Sequence, residues 1–160
     1  KQNTTKSFFN LCLKRTPILF LLVLVFIQII VGAFVSGLDA GRIYQTWPLM
    51  GYNYMPDDVN FSEIKNLFDL NNHSLVQFYH RNIAYLITLY IAGLSFFIFI
   101  KKIIVLYKPI LLILFLTIIQ IFLGIVTLLS GLNIYLASAH QITGVLLVLS
   151  TINLYYFYIK

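Results

Sequence analysis

The sequence predicts an all-α integral membrane fold: an antiparallel four-helix transmembrane bundle built from two repeated helix pairs, with one long outer loop. Three observations predict it. The composition is 60% hydrophobic and 10% charged, with a mean hydropathy of +0.89, where a soluble domain carries about 25% charged residues. Four apolar runs each reach the ~20 residues that cross ~30 Å of hydrocarbon. The same short pattern of glutamine, glycine and histidine occurs twice, in corresponding places along the chain.

The four expected spans are about 17–38, 75–100, 109–129 and 136–158, and residues 39–74 form the outer loop. Residues 17–160 thus make one four-span membrane domain behind an N-terminal linker, 1–16. The four prolines, Pro17, Pro48, Pro56 and Pro109, fall at helix starts or in the loop, where they break no helix. The first span follows Lys14-Arg15 and is longer than the ~7–15 apolar residues of a signal peptide core, so it reads as a true span. Within the loop, Ser62 is an expected N-cap and Glu63 an expected first-turn residue for a short helical segment over 62–70. Cys12 is the single cysteine, which leaves no internal disulfide and no cysteine metal cluster.

Charge sets the orientation. Lys1, Lys6, Lys14, Arg15, Lys101, Lys102, Lys108 and Lys160 fall on one side with no acidic residue. The acids Asp39, Asp57, Asp58, Glu63 and Asp69 all fall on the other, with only Arg42, Lys65 and Arg81. The positive-inside bias therefore puts both termini on the cytoplasmic or matrix face and the long loop on the outer face. The net charge of +6 reads as topology and as attraction to membrane lipid, not as a nucleic-acid surface.

The repeat unit is a Gln-xxx-Gly helix, an outer turn and a His-xxx-small helix. Gln28 and Gly32 precede Ser36-Gly37-Leu38, and Gln120 and Gly124 precede Ser130-Gly131-Leu132. His80 then leads to Ala84, and His140 to Gly144. Both units run in the same direction through the membrane, so their axis is expected along the membrane normal. The small residues permit close helix approach. Ala84 and Gly144 also sit one turn from their histidines on the same helix face, which clears space for a flat group.

An imidazole inside a membrane helix is costly without a partner. His80 and His140 are expected at equal depth near the outer surface, where they can supply both axial ligands of one heme iron. Hydrogen bonding between helices is the competing reading, and zinc lacks a third ligand nearby. His73 reads as a solvated loop residue. Arg81 and Arg42 are candidates for heme propionate contacts, because guanidinium matches carboxylate; snorkelling to lipid phosphate is the other use of such residues. Trp47, Tyr44, Tyr52 and Tyr54 fit an interfacial aromatic belt or a cap over the pocket.

The stretch Gly32-Ala-Phe-Val-Ser-Gly-Leu-Asp-Ala-Gly-Arg42-Ile-Tyr-Gln-Thr-Trp-Pro-Leu-Met50 resembles the span-to-loop signature in the second half of the heme A synthase family. Val76-Gln-Phe-Tyr-His80-Arg81 resembles the first histidine motif of that half, and Ala139-His140-Gln141 the second. The resemblance covers about residues 17–158. It implies an eight-span protein of two related halves that oxidises the C8 methyl of heme O to the formyl of heme A for cytochrome oxidase. It further implies that this half holds heme b through His80 and His140. In the family's substrate half a glutamate stands three residues before the first histidine. Gln77 stands there in this chain, and an amide is no acid or base, which favours the cofactor half. Heme O is then the substrate, and either a missing N-terminal half or a second copy of this chain is the expected partner. The family places the protein in a bacterial inner membrane or the mitochondrial inner membrane.

The rival reading is a membrane cytochrome b-type electron-transfer subunit, which needs the same two histidines. A transporter is disfavoured, because no carboxylate lies inside a span and no proline interrupts one. A purely structural subunit predicts no visible absorption. No residue pattern identifies an electron acceptor.

Overall fold

The computed structural model describes residues 16–159. The expected linker over 1–16 lies outside the described residues except for Thr16, as do Lys1, Lys6, Cys12, Lys14, Arg15 and Lys160. The described chain is all-helical. Its α-helices are α1 (Thr16–Gly37), α2 (His73–Ile100), α3 (Tyr107–Leu129) and α4 (Ile134–Ile159). Short 3-10 turns occupy Ala40–Arg42, Ile64–Phe68 and Ile104–Leu106. Each of the four helices is long and apolar enough to cross a membrane, the third when its 3-10 lead-in is counted.

The helix ends follow from local chemistry. Asn72 caps α2 by accepting a hydrogen bond from the Leu75 amide at 3.0 Å, so the helix begins at His73, two residues before the apolar run. His73 is therefore an exposed first-turn helical residue and not a loop residue. The α3 helix stops where Gly131 adopts a positive φ of 70°, a conformation glycine reaches without strain. The Leu132 amide then bonds back to the Thr127 carbonyl at 3.0 Å, which satisfies a terminal acceptor. The expected Ser62 cap does not form. The turn is a 3-10 helix over Ile64–Phe68 whose N-cap is Glu63, without a side-chain cap bond. The Ser62 amide instead bonds to Asn60 Oδ1 at 3.1 Å.

The principal helix contacts pair α1 with α2 and α3 with α4, and α1–α4 and α2–α3 contacts close the ring. The main buried apolar cluster lies at one end. It comprises Ile18, Leu21, Leu24 and Val25 of α1, then Ile87, Ile91 and Ile98 of α2. To these α3 adds Ile110, Ile113 and Leu116, and α4 adds Leu147, Val148 and Leu154. Beyond it the helix interiors change character. Residues 28–37 of α1, 78–86 of α2, 118–126 of α3 and 134–143 of α4 include no fully buried residue. Protein interiors are normally close-packed throughout. Both span histidines lie in this less buried band, beyond which Leu75, Val76 and Gln77 of α2 and Thr127 of α3 are buried again.

Candidate functional site

His80 lies two turns into α2, and His140 lies in the second turn of α4. Both are partly buried. Each ring abuts a glycine of the preceding helix. A Cβ on Gly32 would come 3.0 Å from His80 Cε1, and one on Gly124 would come 3.1 Å from His140 Cε1. In both contacts the next nearest atom is Nδ1, at 3.5 and 3.6 Å. The two imidazoles thus turn the same edge towards equivalent glycines. Any larger residue there would push the ring away.

The two glutamines differ. Gln28 Nε2 donates to the His80 carbonyl at 3.0 Å and lies 3.2 Å from Nδ1 and 3.4 Å from Nε2 of the same residue. Gln120 turns to Thr143, whose hydroxyl donates to Gln120 Oε1. A Cβ on Gly144 would come 3.1 Å from Gln120 Nε2, so Gly144 makes room for that amide. Close approach to the imidazoles comes from Gly32 and Gly124, which the sequence marked only as packing residues. Ala84 is partly buried, and its carbonyl accepts a 2.8 Å bond from Thr88. His140 Nδ1 is buried and makes no side-chain hydrogen bond, with the Gln120 backbone beside the ring.

The outer loop is tied to the histidine end. The Tyr44 carbonyl accepts from Gln77 Nε2 and from the Arg81 guanidinium, both at 2.9 Å. Arg81 also donates to the Leu49 carbonyl at 3.2 Å. Gln77 is 3% exposed, and its Oε1 has no partner. Asp58 accepts from the Tyr44 hydroxyl at 2.9 Å and from Ser74 Oγ at 2.6 Å. The Tyr79 hydroxyl donates to the Leu67 carbonyl at 2.7 Å, and Tyr54 donates to Asn82. Burial first, and then the Asp58 bond, raise the Tyr44 phenol above its ordinary pKa. On the far side Gly41 lies under Leu132, where a Cβ would come within 2.8 Å of Cδ2. The loop therefore reaches from the first turns of α2 to the α3–α4 turn.

Arg42 stands apart from this network. It faces solvent and pairs with Asp39 at 3.8 Å, a surface contact of small energetic weight. Tyr52 is almost fully exposed, and Trp47 is exposed. Among the described residues no three His, Cys, Asp or Glu side chains gather to hold a metal ion.

Residues 10–152 match the family model COX15-CtaA, described as cytochrome oxidase assembly protein. The chain is 44% identical over 134 residues to a heme A synthase of Pelagibacter ubique, a match covering 84% of this chain and 39% of the relative. It is 42% identical over 127 residues to a heme A synthase of Wolbachia pipientis wMel, covering 79% of this chain and 35% of the relative. A heme A synthase of Maricaulis maris is 42% identical over 135 residues, covering 82% of this chain and 39% of the relative. The chain thus spans less than half the length of these relatives. No solved structure matches it. With four membrane-length helices and this match over most of its length, the chain is an integral membrane protein that belongs to the cytochrome oxidase assembly family of the heme A synthases.

Proposed function

We propose that this chain is the heme b-holding half of a heme A synthase, with His80 and His140 as the two axial ligands of one heme. The observation that carries the reading is the contrast between the packed core and the less buried band of helix around the two histidines. Around the two histidines, residues 28–37, 78–86, 118–126 and 134–143 include no fully buried residue, and the two imidazoles have matched glycine contacts. A flat apolar group would complete that interior. The donor set also fits. Two imidazoles without a third ligand suit an iron whose other four ligands come from a porphyrin, whereas zinc takes at least three protein ligands.

Bound there, heme b supplies a one-electron carrier for the oxidation. The protein's residues hold it and shield it. Gly32 and Gly124 let the imidazoles seat against α1 and α3, and the loop tied down by Gln77, Arg81 and Asp58 limits access of water from the outer face. Arg81, already held by two loop carbonyls, keeps further guanidinium N–H groups for a propionate. Arg42 reaches one only by leaving Asp39. Gln77 does not transfer protons, so the oxidation of the C8 methyl of heme O to the formyl group is completed in a second four-helix half. That half belongs to the same polypeptide or to a partner, and a homodimer of this chain is the alternative.

The helix pairs run antiparallel and are related by rotation about the membrane normal, which the paired glycine–imidazole contacts support. Both termini face the cytoplasm or matrix, and the loop faces the outer side of a bacterial inner or mitochondrial inner membrane. The test is expression of residues 1–160 in cells that accumulate heme O and lack another synthase. The expected result is a chain that retains heme b and forms no heme A until the missing half is co-expressed. Heme A from this chain alone supports the homodimer. Heme b retained without heme A, even beside the added half, supports the electron-transfer subunit.

A further inference from the structure

We infer that Gln28 is a positioning residue whose side-chain amide sets the plane of the His80 imidazole, and that the Gln120 amide does not do the same for His140, so that the two axial positions are built differently. The inference rests on the heme reading above. It starts from a geometric detail of the Gln28 amide. Its nitrogen is nearly equidistant from the two ring nitrogens of His80, at 3.2 and 3.4 Å. An in-plane hydrogen bond to one ring nitrogen would place the other well beyond contact distance. An in-plane approach between them would collide with Cε1. The amide therefore lies over the face of the ring, anchored by its 3.0 Å bond to the His80 carbonyl. The in-plane lone-pair directions of the imidazole stay clear of it. One face of the ring is covered by the amide, and the Cε1 edge stands against Gly32. A ring held on a face and an edge has little freedom to turn.

The second unit shows why His140 differs. Gln120 corresponds to Gln28 in the repeat, but Thr143 occupies the position of Ile83, three residues after the histidine. The Thr143 hydroxyl binds the Gln120 side chain, and Gly144, where the first unit has Ala84, makes room for its nitrogen. Ile83 has no hydroxyl to offer, so Gln28 folds onto its histidine. One hydroxyl and one methyl group thus decide where each glutamine points. Groups around a metal-ligating histidine fix ring orientation and tune the metal, so this difference passes directly into the heme.

In low-spin ferric heme with two imidazole ligands, the largest g value in the electron paramagnetic resonance spectrum reads the angle between the imidazole planes. The full chain, purified with its heme, is compared with Gln28→Met, Ile83→Thr and Gln120→Met. Gln28→Met keeps the volume and removes the amide. It is expected to shift the largest g value and to lower heme affinity by roughly 10-fold or more, as loss of such a supporting group typically does. Ile83→Thr retains Gln28 but offers it the hydroxyl that Gln120 has. It is expected to shift the g value in the same direction, and it keeps the test decisive if Gln28→Met fails to fold. Gln120→Met is expected to leave the largest g value in place. A g value unchanged in both Gln28→Met and Ile83→Thr overturns the inference, as does an equal shift in Gln120→Met. A wild-type chain that takes up no heme overturns the proposed function itself, which separates the two failures.

Discussion

Replacing Gly32 with alanine adds one methyl group where α1 meets the His80 ring. Its Cβ would stand 3.0 Å from His80 Cε1, against the ~3.5–4.0 Å at which carbon atoms pack best. Either the ring or the helix must give by several tenths of an ångström. Overpacking of this kind costs about 1–3 kcal/mol, and alanine returns up to about 1 kcal/mol through helix propensity. The fold is therefore expected to survive at a net cost of about 0–2 kcal/mol, a drop in melting temperature of at most several degrees. The displaced ring carries the strain into ligation, where 1.4 kcal/mol is a factor of ten, so heme affinity should fall about 5- to 100-fold. Gly93→Ala is the control, because nothing lies within 4 Å of a Cβ at that position, and it should leave heme affinity unchanged. The assay is heme titration of detergent-purified protein alongside a thermal melt. Equal heme affinity in Gly32→Ala and Gly93→Ala would refute the reasoning.

Three further outcomes follow from the outer loop and the second imidazole. Gly124→Ala should weaken heme binding as Gly32→Ala does, since its Cβ would stand 3.1 Å from His140 Cε1; heme titration checks it. Arg81→Leu removes the guanidinium from the Tyr44 and Leu49 carbonyls, and hydrogen bonds to charged groups contribute about 1.5–3 kcal/mol each. Amides of residues 44–47, 49 and 50 should then exchange faster with deuterium while those of the core in α3 do not. The raised Tyr44 pKa gives a pH dependence with a definite sign. Because the folded-state value lies above the unfolded one, the contribution of Tyr44 is fully present below its ordinary pKa of 10.0 and is lost as pH rises through the folded value. Proteolysis of the loop should accelerate at that alkaline pH in wild type, with no such step in Tyr44→Phe.

The membrane helices were legible because bilayer thickness and hydropathy act on each segment alone, without tertiary information. The repeat placed Gln28, Gly32, His80, Gln120, Gly124 and His140 in one pattern before any coordinates. It did not show which small residues meet the imidazoles. Ala84 and Gly144 share a helix with their histidines and were expected to clear space, whereas Gly32 and Gly124 meet the rings from the neighbouring helix, a relation only packing determines. Comparing Ile83 with Thr143 within the repeat was the available signal for the different glutamine orientations. The ties from Gln77 and Arg81 to the Tyr44 carbonyl were illegible, because a backbone acceptor has no side-chain signature. The start of α2 could have been found from Asn72, a favoured N-cap residue; the apolar run begins later and hid it.

The absorption spectrum of detergent-purified residues 1–160, oxidised and reduced, in wild type, His80→Ala and His140→Ala, tests the central claim most directly. The account predicts a low-spin heme b spectrum in wild type and its loss in each single variant, because one imidazole cannot fill both axial positions. A wild-type spectrum retained in both variants would contradict it.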